Sequence, residues 1–184
     1  MPTFTGITRK IAMKDIARQG MSIKVESMDM LNNQIKMEAH ASATYLAMAS
    51  WCDQNGFFTS AKFFHKQAEE EREHMMKIFN FLIDAGGSPI SPEITNINHD
   101  YASIVDVFES TLDHEIAVTK SIHAIVLKSR EVGDIATERF LDWFVMEQVE
   151  EENTIRDILD MISITGTEGV GLQVIDDHVG NWID

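Results

Sequence analysis

Residues 68–75 read Ala68-Glu69-Glu70-Glu71-Arg72-Glu73-His74-Met75. Glu71 and His74 are three apart, so on a helix both side chains share one face. Stepping outward from Glu71 in alternating threes and fours meets Ala68, Phe64, Ala61 and Phe57 on one side. On the other side it meets Met75, Ile78, Leu82 and Ala85. A 3.5-residue apolar repeat of this kind is the buried stripe of a helix in a bundle. Glu71 therefore occupies a position that belongs to a hydrophobic residue.

Three further segments repeat the pattern. The first runs Met28, Leu31, Ile35, Glu38, Ser42, Tyr45, Ala49, Cys52. The third runs Ile104, Phe108, Thr111, Glu115, Val118, Ile122, Ile125, and the fourth Leu141, Phe144, Gln148, Glu151, Ile155, Ile158, Ile162. The spacing predicts helices over about Ser22–Cys52, Phe57–Ala85, Tyr101–Arg130 and Ile135–Thr165, with a short fifth over Leu172–Val179. Asp53-Gln54-Asn55-Gly56 and the break near Gly133 are tight turns, so helices one and two are antiparallel, as are three and four. The segment after Gly86-Gly87 is longer. About fifteen extended residues reach on the order of 50 Å, enough to run back along a thirty-residue helix of about 45 Å. The expected fold is all-α, a four-helix bundle with one long crossover between helices two and three. Glu38 and Glu71 then both lie about 21 Å from their shared turn. Glu115 and Glu151 stand fifteen and sixteen residues from the other turn's flanks, so all four glutamates meet near the middle.

A bare carboxylate in such a core costs several kcal/mol, of order, unless it is protonated, paired or bound to a metal. Two divalent cations would set four positive charges against four carboxylates. Oxygen ligands with one imidazole suit iron or manganese best, with zinc as an opportunistic occupant, and the absence of cysteine from the cluster disfavours a structural zinc site. The alternative, a solvated acidic face, fits most of the runs 69–73 and 150–152. It fits Glu71 and Glu151 badly, because their stripes resume with apolar residues on both sides. His40, His65, His99, His114, His123 and His178 lack ligand spacing and read as surface or supporting residues; the eleven methionines read as core filler.

Composition bounds the rest. The 184 residues suffice for one sizeable core. A formal charge of −15 disfavours nucleic acid or an anionic membrane as partner and favours cations. The single cysteine, Cys52, excludes an internal disulfide framework and fits a reducing compartment. No run of about 18 apolar residues is present to span a membrane. Residues 1–20 carry Arg9, Lys10, Lys14 and Arg18 without the apolar centre of a secretory signal. They read as a leader outside the core domain of residues 21–184, with Met13 or Met21 as alternative starts.

With these residues in place, the chain resembles the non-haem bacterial ferritins over roughly residues 21–179. The resemblance rests on Asn33-Gln34-Ile35-Lys36-Met37-Glu38, on the block 68–75 and on Trp143-Phe144-Val145-Met146-Glu147-Gln148-Val149-Glu150-Glu151-Glu152. It implies a ferroxidase centre in which Glu38, Glu71 and His74 hold a first iron and Glu71, Glu115 and Glu151 a second. Gln148 would stand beside the pair and Tyr45 would act as a nearby electron donor. Glu70, Glu147 and Glu150 match a third iron site found in some members. The chain departs from bacterioferritins, having Gln148-Val149-Glu150-Glu151 where they carry a second Glu-x-x-His and Arg72 where they carry a haem methionine, so no haem is expected. The resemblance further implies iron storage in the cytoplasm, in a homo-oligomeric cage of twenty-four chains that takes Fe(II) and dioxygen. Ile164, Val170, Leu172, Val174 and Ile175 are candidates for burial against neighbouring copies. Two other readings fit the same bundle. A di-iron oxidase or peroxidase would need an open substrate pocket, against which Phe64, Phe108 and Phe144 argue. A passive acidic metal buffer would consume no oxygen.

Overall fold

A computed structural model describes residues 20–183; the leader expected at residues 1–20 lies almost wholly outside the described residues. The described chain is helical: α1 (Val25–Gln54), α2 (Phe58–Asp84), α3 (Ile104–Val132), α4 (Ile135–Thr165) and α5 (Val170–Val179), closed by a 3₁₀ turn at Gly180–Trp182. Helix four has the bounds its periodicity predicts. α1 begins three residues later than expected because Ser22 and Ile23 form a bend, Lys24 is extended, and the segment is tied down. The Ser22 N–H bonds the Ala85 carbonyl at 3.0 Å, and the Lys24 N–H bonds Asp134 Oδ2 at 2.8 Å. α3 also begins three residues late, at a reciprocal cap. Ser103 Oγ accepts the Asp106 N–H at 3.1 Å while Asp106 Oδ2 accepts the Ala102 N–H at 2.8 Å.

The turns follow from their glycines. α3 ends where Gly133 takes φ +70°, letting the Asp134 N–H reach back to the Ser129 carbonyl at 2.8 Å. Past Ala85, Gly86 at φ +80° lets Gly87 N–H bond the Leu82 carbonyl at 2.8 Å. Residues 85–103 then cross the length of the bundle without helix. Asn32 of α1 holds this strap: its Oδ1 accepts the Ile90 N–H at 2.8 Å and its Nδ2 donates to the Ser88 carbonyl at 3.2 Å.

The direction of the crossover is fixed by what packs together. Ile104, Val107 and Phe108 at the start of α3 join Phe63 and Phe64 near the start of α2, Cys52 at the end of α1, and Ile158 and Ile162 near the end of α4. At the opposite end, Leu31, Ile35, Ile78, Leu82, Ile122, Ile125, Leu141 and Phe144 form a second cluster. Side-chain pairs Met48–Thr111, Tyr45–Glu115 and Gln34–Ser121 run in opposite chain directions, so α1 and α3 are antiparallel. The stripe residues of α3 and α4 are all buried, and those of α1 and α2 are buried except for Met28, Ser42, Phe57 and Met75, which are half-buried.

α5 corrects one expectation. Ile175 is buried within the chain and Leu172 packs on the first cluster, because α5 docks across α2 and α4 of its own bundle. Ile164, Val170 and Val174 remain exposed, as burial against a neighbour requires. Among the described residues, no helix is long and apolar enough to cross a membrane.

Candidate metal centre

Between the two apolar clusters lies a polar layer built by one turn from each long helix. Glu38, Glu71, Glu115 and Glu151 are 1%, 3%, 1% and 9% exposed, and His74 is 5% exposed. Water therefore cannot supply the solvation these carboxylates lose. Ligand atoms of Glu38, Glu71 and His74 all lie within 4.8 Å of one another. A second group of the same tightness comprises His74, Glu147 and Glu151, so the imidazole stands between two acidic pairs. Its Nδ1 is 3.7 Å from Glu71 Oε2 and its Nε2 is 3.8 Å from Glu147 Oε1. Edge contacts from Trp143 and Phe144 wall the ring in.

The protein satisfies these carboxylates unevenly. Glu115 is fully engaged: the Tyr45 hydroxyl donates to its Oε1, and Gln148 Nε2 donates to its Oε2 at 3.1 Å. Glu38 Oε1 accepts Gln34 Nε2 at 2.9 Å, but Glu38 Oε2 and Glu71 Oε2 are buried with no hydrogen-bond partner. Buried carboxylate oxygens are rarely left so. Those two orphaned atoms belong to the residues that converge with His74.

Electrostatics say the same. Burial, and then repulsion from Glu71, push the Glu38 carboxyl well above the usual range. Burial and the Glu115 charge do likewise for Glu71. Glu115 is raised by burial, against which its bonds from Tyr45 and Gln148 work. Glu151 is pushed up to about 8 by burial, Glu115 and Glu70. Tyr45 is raised by burial and the adjacent Glu115, so it stays protonated and remains a donor. Such mutual frustration is relieved by cations placed among the carboxylates, and an oxygen-rich set with one nitrogen fits iron.

The remaining candidates are less enclosed. Glu147 is half-buried beside His74. Glu70 is half-buried, takes a hydrogen bond from Gln67 Nε2 at 2.5 Å and lies 3.7 Å from Lys66 Nζ. Glu150 is exposed, and neither Glu70 nor Glu150 belongs to a converging group among the described residues. His65, His99, His123 and His178 are exposed. His40 and His114 are half-buried and lie parallel, 6.4 Å between ring centres. Gln34, Ser121 and Thr119 carry no ligand spacing in the sequence, yet all three support the layer. Ser121 Oγ donates to Gln34 Oε1 at 2.5 Å, and Thr119 Oγ1 donates to Glu152 Oε1 at 2.6 Å. Gln34 was findable, being four residues before Glu38 and so on its flank.

Comparison with known proteins agrees with this fold. The family model for the ferritin-like domain matches residues 28–164. A probable bacterial non-heme ferritin-like protein of Haemophilus influenzae is 40% identical over 152 residues, covering 83% of this chain and 92% of that protein. The bacterial non-heme ferritin of Campylobacter jejuni is 36% identical over 156 residues, 85% of this chain and 93% of that one. Among solved structures, the open-pore ferritin of Archaeoglobus fulgidus superposes with a TM-score of 0.84 at 33% identity, over 87% of this chain and 98% of that one. A helical bundle with one crossover, a buried glutamate on each long helix and relatives of this closeness together place the chain in the ferritin-like family, among the bacterial non-haem ferritins.

Proposed function

We propose that Glu38, Glu71, His74, Glu115 and Glu151 hold the two Fe(II) ions that this ferritin oxidises with dioxygen before storing them. The observation that carries the reading is the polar layer itself. Four buried glutamates and a histidine converge between two apolar clusters, and two carboxylate oxygens lack any protein partner. Glu38, Glu71 and His74 would take one iron, and Glu71, Glu115 and Glu151 the other, with Glu71 shared. Gln148 and Tyr45 keep Glu115 oriented, and Tyr45 sits close enough to supply an electron.

Each iron gives one electron to dioxygen, which with two protons from solvent is reduced to the peroxide level. Hard anionic oxygen ligands favour the ferric state, which lowers the potential and drives the step. The apolar clusters above and below exclude water from the site, so the carboxylates act at full strength on the metal. Glu147 and Glu151, sharing His74 with the first group, offer oxidised iron a way out of the pair. Fe(III) is then kept as a hydrated oxide inside a cage of twenty-four copies in the cytoplasm. The formal charge of −15 draws in Fe(II), and exposed Ile164, Val170 and Val174 supply apolar surface for contacts between copies.

Stopped-flow oxidation of two Fe(II) per chain tests the assignment. With Glu71→Ala the initial rate is expected to fall by well over about tenfold, the loss typical of disturbing even an outer partner of a metal ligand. A mutant as fast as the wild type would remove Glu71 from the centre.

A further inference from the structure

Gln34 is fully buried, and its amide is held at both ends. Nε2 donates to Glu38 Oε1 at 2.9 Å, and Oε1 accepts the Ser121 hydroxyl from α3 at 2.5 Å. A carboxylate that ligates a cation is ionised and only accepts hydrogen bonds, so with metal bound the amide nitrogen must face Glu38, as it does here. The serine proton on the far side then prevents the amide from turning over. Glu38 is left with one oxygen engaged by protein and one, Oε2, buried and without a partner. Glu115 differs, since both its oxygens are engaged.

We infer that Gln34, locked by Ser121, is a positioning residue for the first cation. It holds Glu38 so that the carboxylate meets the metal through Oε2 alone. The inference rests on the reading that Glu38, Glu71 and His74 form a cation site. One-oxygen ligation leaves a coordination position open at that metal, where dioxygen or water can enter. A Glu38 released from Gln34 would fold both oxygens onto the cation and close that position.

Crystals grown with Co(II) alone test this through the coordination of Glu38 and the metal occupancy at each position. The wild type is expected to bind Co(II) by Glu38 Oε2, with Oε1 still on Gln34. In Gln34→Leu, Glu38 is expected to turn to two-oxygen ligation or to lose the metal, with Co(II) affinity at that position changed by about tenfold and the position by Glu115 and Glu151 unaffected. Ser121→Ala, which keeps the buried amide and folds if Gln34→Leu does not, is expected to shift Glu38 the same way, whereas Ser121→Thr keeps the hydroxyl and the wild-type geometry. A merely structural Gln34 would lower thermal stability in the variants without altering how Glu38 binds. That result, or a wild type holding Co(II) by Glu38 Oε1 with Gln34 turned aside, overturns the inference alone. A wild type with no Co(II) between Glu38, Glu71 and His74 overturns the site reading with it.

Discussion

Glu115 shows how the protein prepares a carboxylate for a charge it does not itself carry. Burial penalises its ionised form, while the Tyr45 hydroxyl and the Gln148 amide stabilise it. Tyr45→Phe removes one donor from a buried acceptor. The expected cost is about 1–3 kcal/mol in cation-free protein at alkaline pH, where Glu115 is ionised, read from the urea midpoint; a loss near zero there would mean that Tyr45 does not hold Glu115. At this scale the sequence was informative wherever polarity broke a pattern. Glu38, Glu71, Glu115 and Glu151 interrupt apolar stripes, and all four are buried. Gln34 and Ser121 interrupt nothing, since a polar residue beside a stripe looks like any solvated one. The spacing of Gln34 to Glu38 is local, but its lock depends on a contact with Ser121 across 87 residues that no local spacing encodes.

Helix ends are fastened by carboxylates borrowed from distant elements. The N-terminus of α2 has no capping side chain of its own at Phe57. Asp176 of α5 serves instead, accepting the Thr59 N–H at 3.0 Å, and the Ser60 N–H and Ser60 hydroxyl at 2.8 Å each. Asp176→Ala is expected to cost about 2 kcal/mol, the upper range for a lost helix cap, and to speed amide exchange across α5 before the rest of the bundle. Uniform exchange would show that α5 docks by its apolar face alone. Asp134 works likewise at the other end, capping α4 through the Thr137 N–H while holding the Lys24 N–H. Burial works against its ionised form, but those bonds outweigh it and hold the carboxyl below the usual range. Its stabilisation is thus in place above the ordinary Asp value of about 3.9 and is lost as pH falls through the lower folded value. Asp134→Asn should therefore lose stability at pH 6 and match the wild type only in strong acid. Periodicity located all five helices, but these staples were invisible to it, and they account for the late start of α1. α3 starts late for a local reason, the Ser103–Asp106 cap.

For the whole molecule, the frustrated layer predicts an unusual pH response. Unfolded glutamates release protons near about 4.3, whereas Glu151 holds its proton up to about 8 and the other three are raised as well. Between those values the unfolded state binds fewer protons, so stability falls as pH rises. Cation-free protein should melt lower at pH 8 than at pH 5. Co(II) should reverse the trend by binding only the folded state; a melting temperature that rises with pH without metal would contradict the burial of these groups. The crossover, the level of the four glutamates and the Glu-x-x-His pair were legible because helix geometry converts residue counts into heights. The cage was not, since nothing in a single stripe says which exposed apolar residues meet a neighbour. The most direct test of the central claim is iron retained per chain after repeated Fe(II) additions in air, for the wild type and Glu71→Ala. Storage through this centre predicts a soluble ferric mineral far beyond three irons per chain, formed slowly or not at all by the mutant. Uptake that stops at two irons per chain, with no mineral, would contradict it and mark the chain as a di-iron enzyme acting on another substrate.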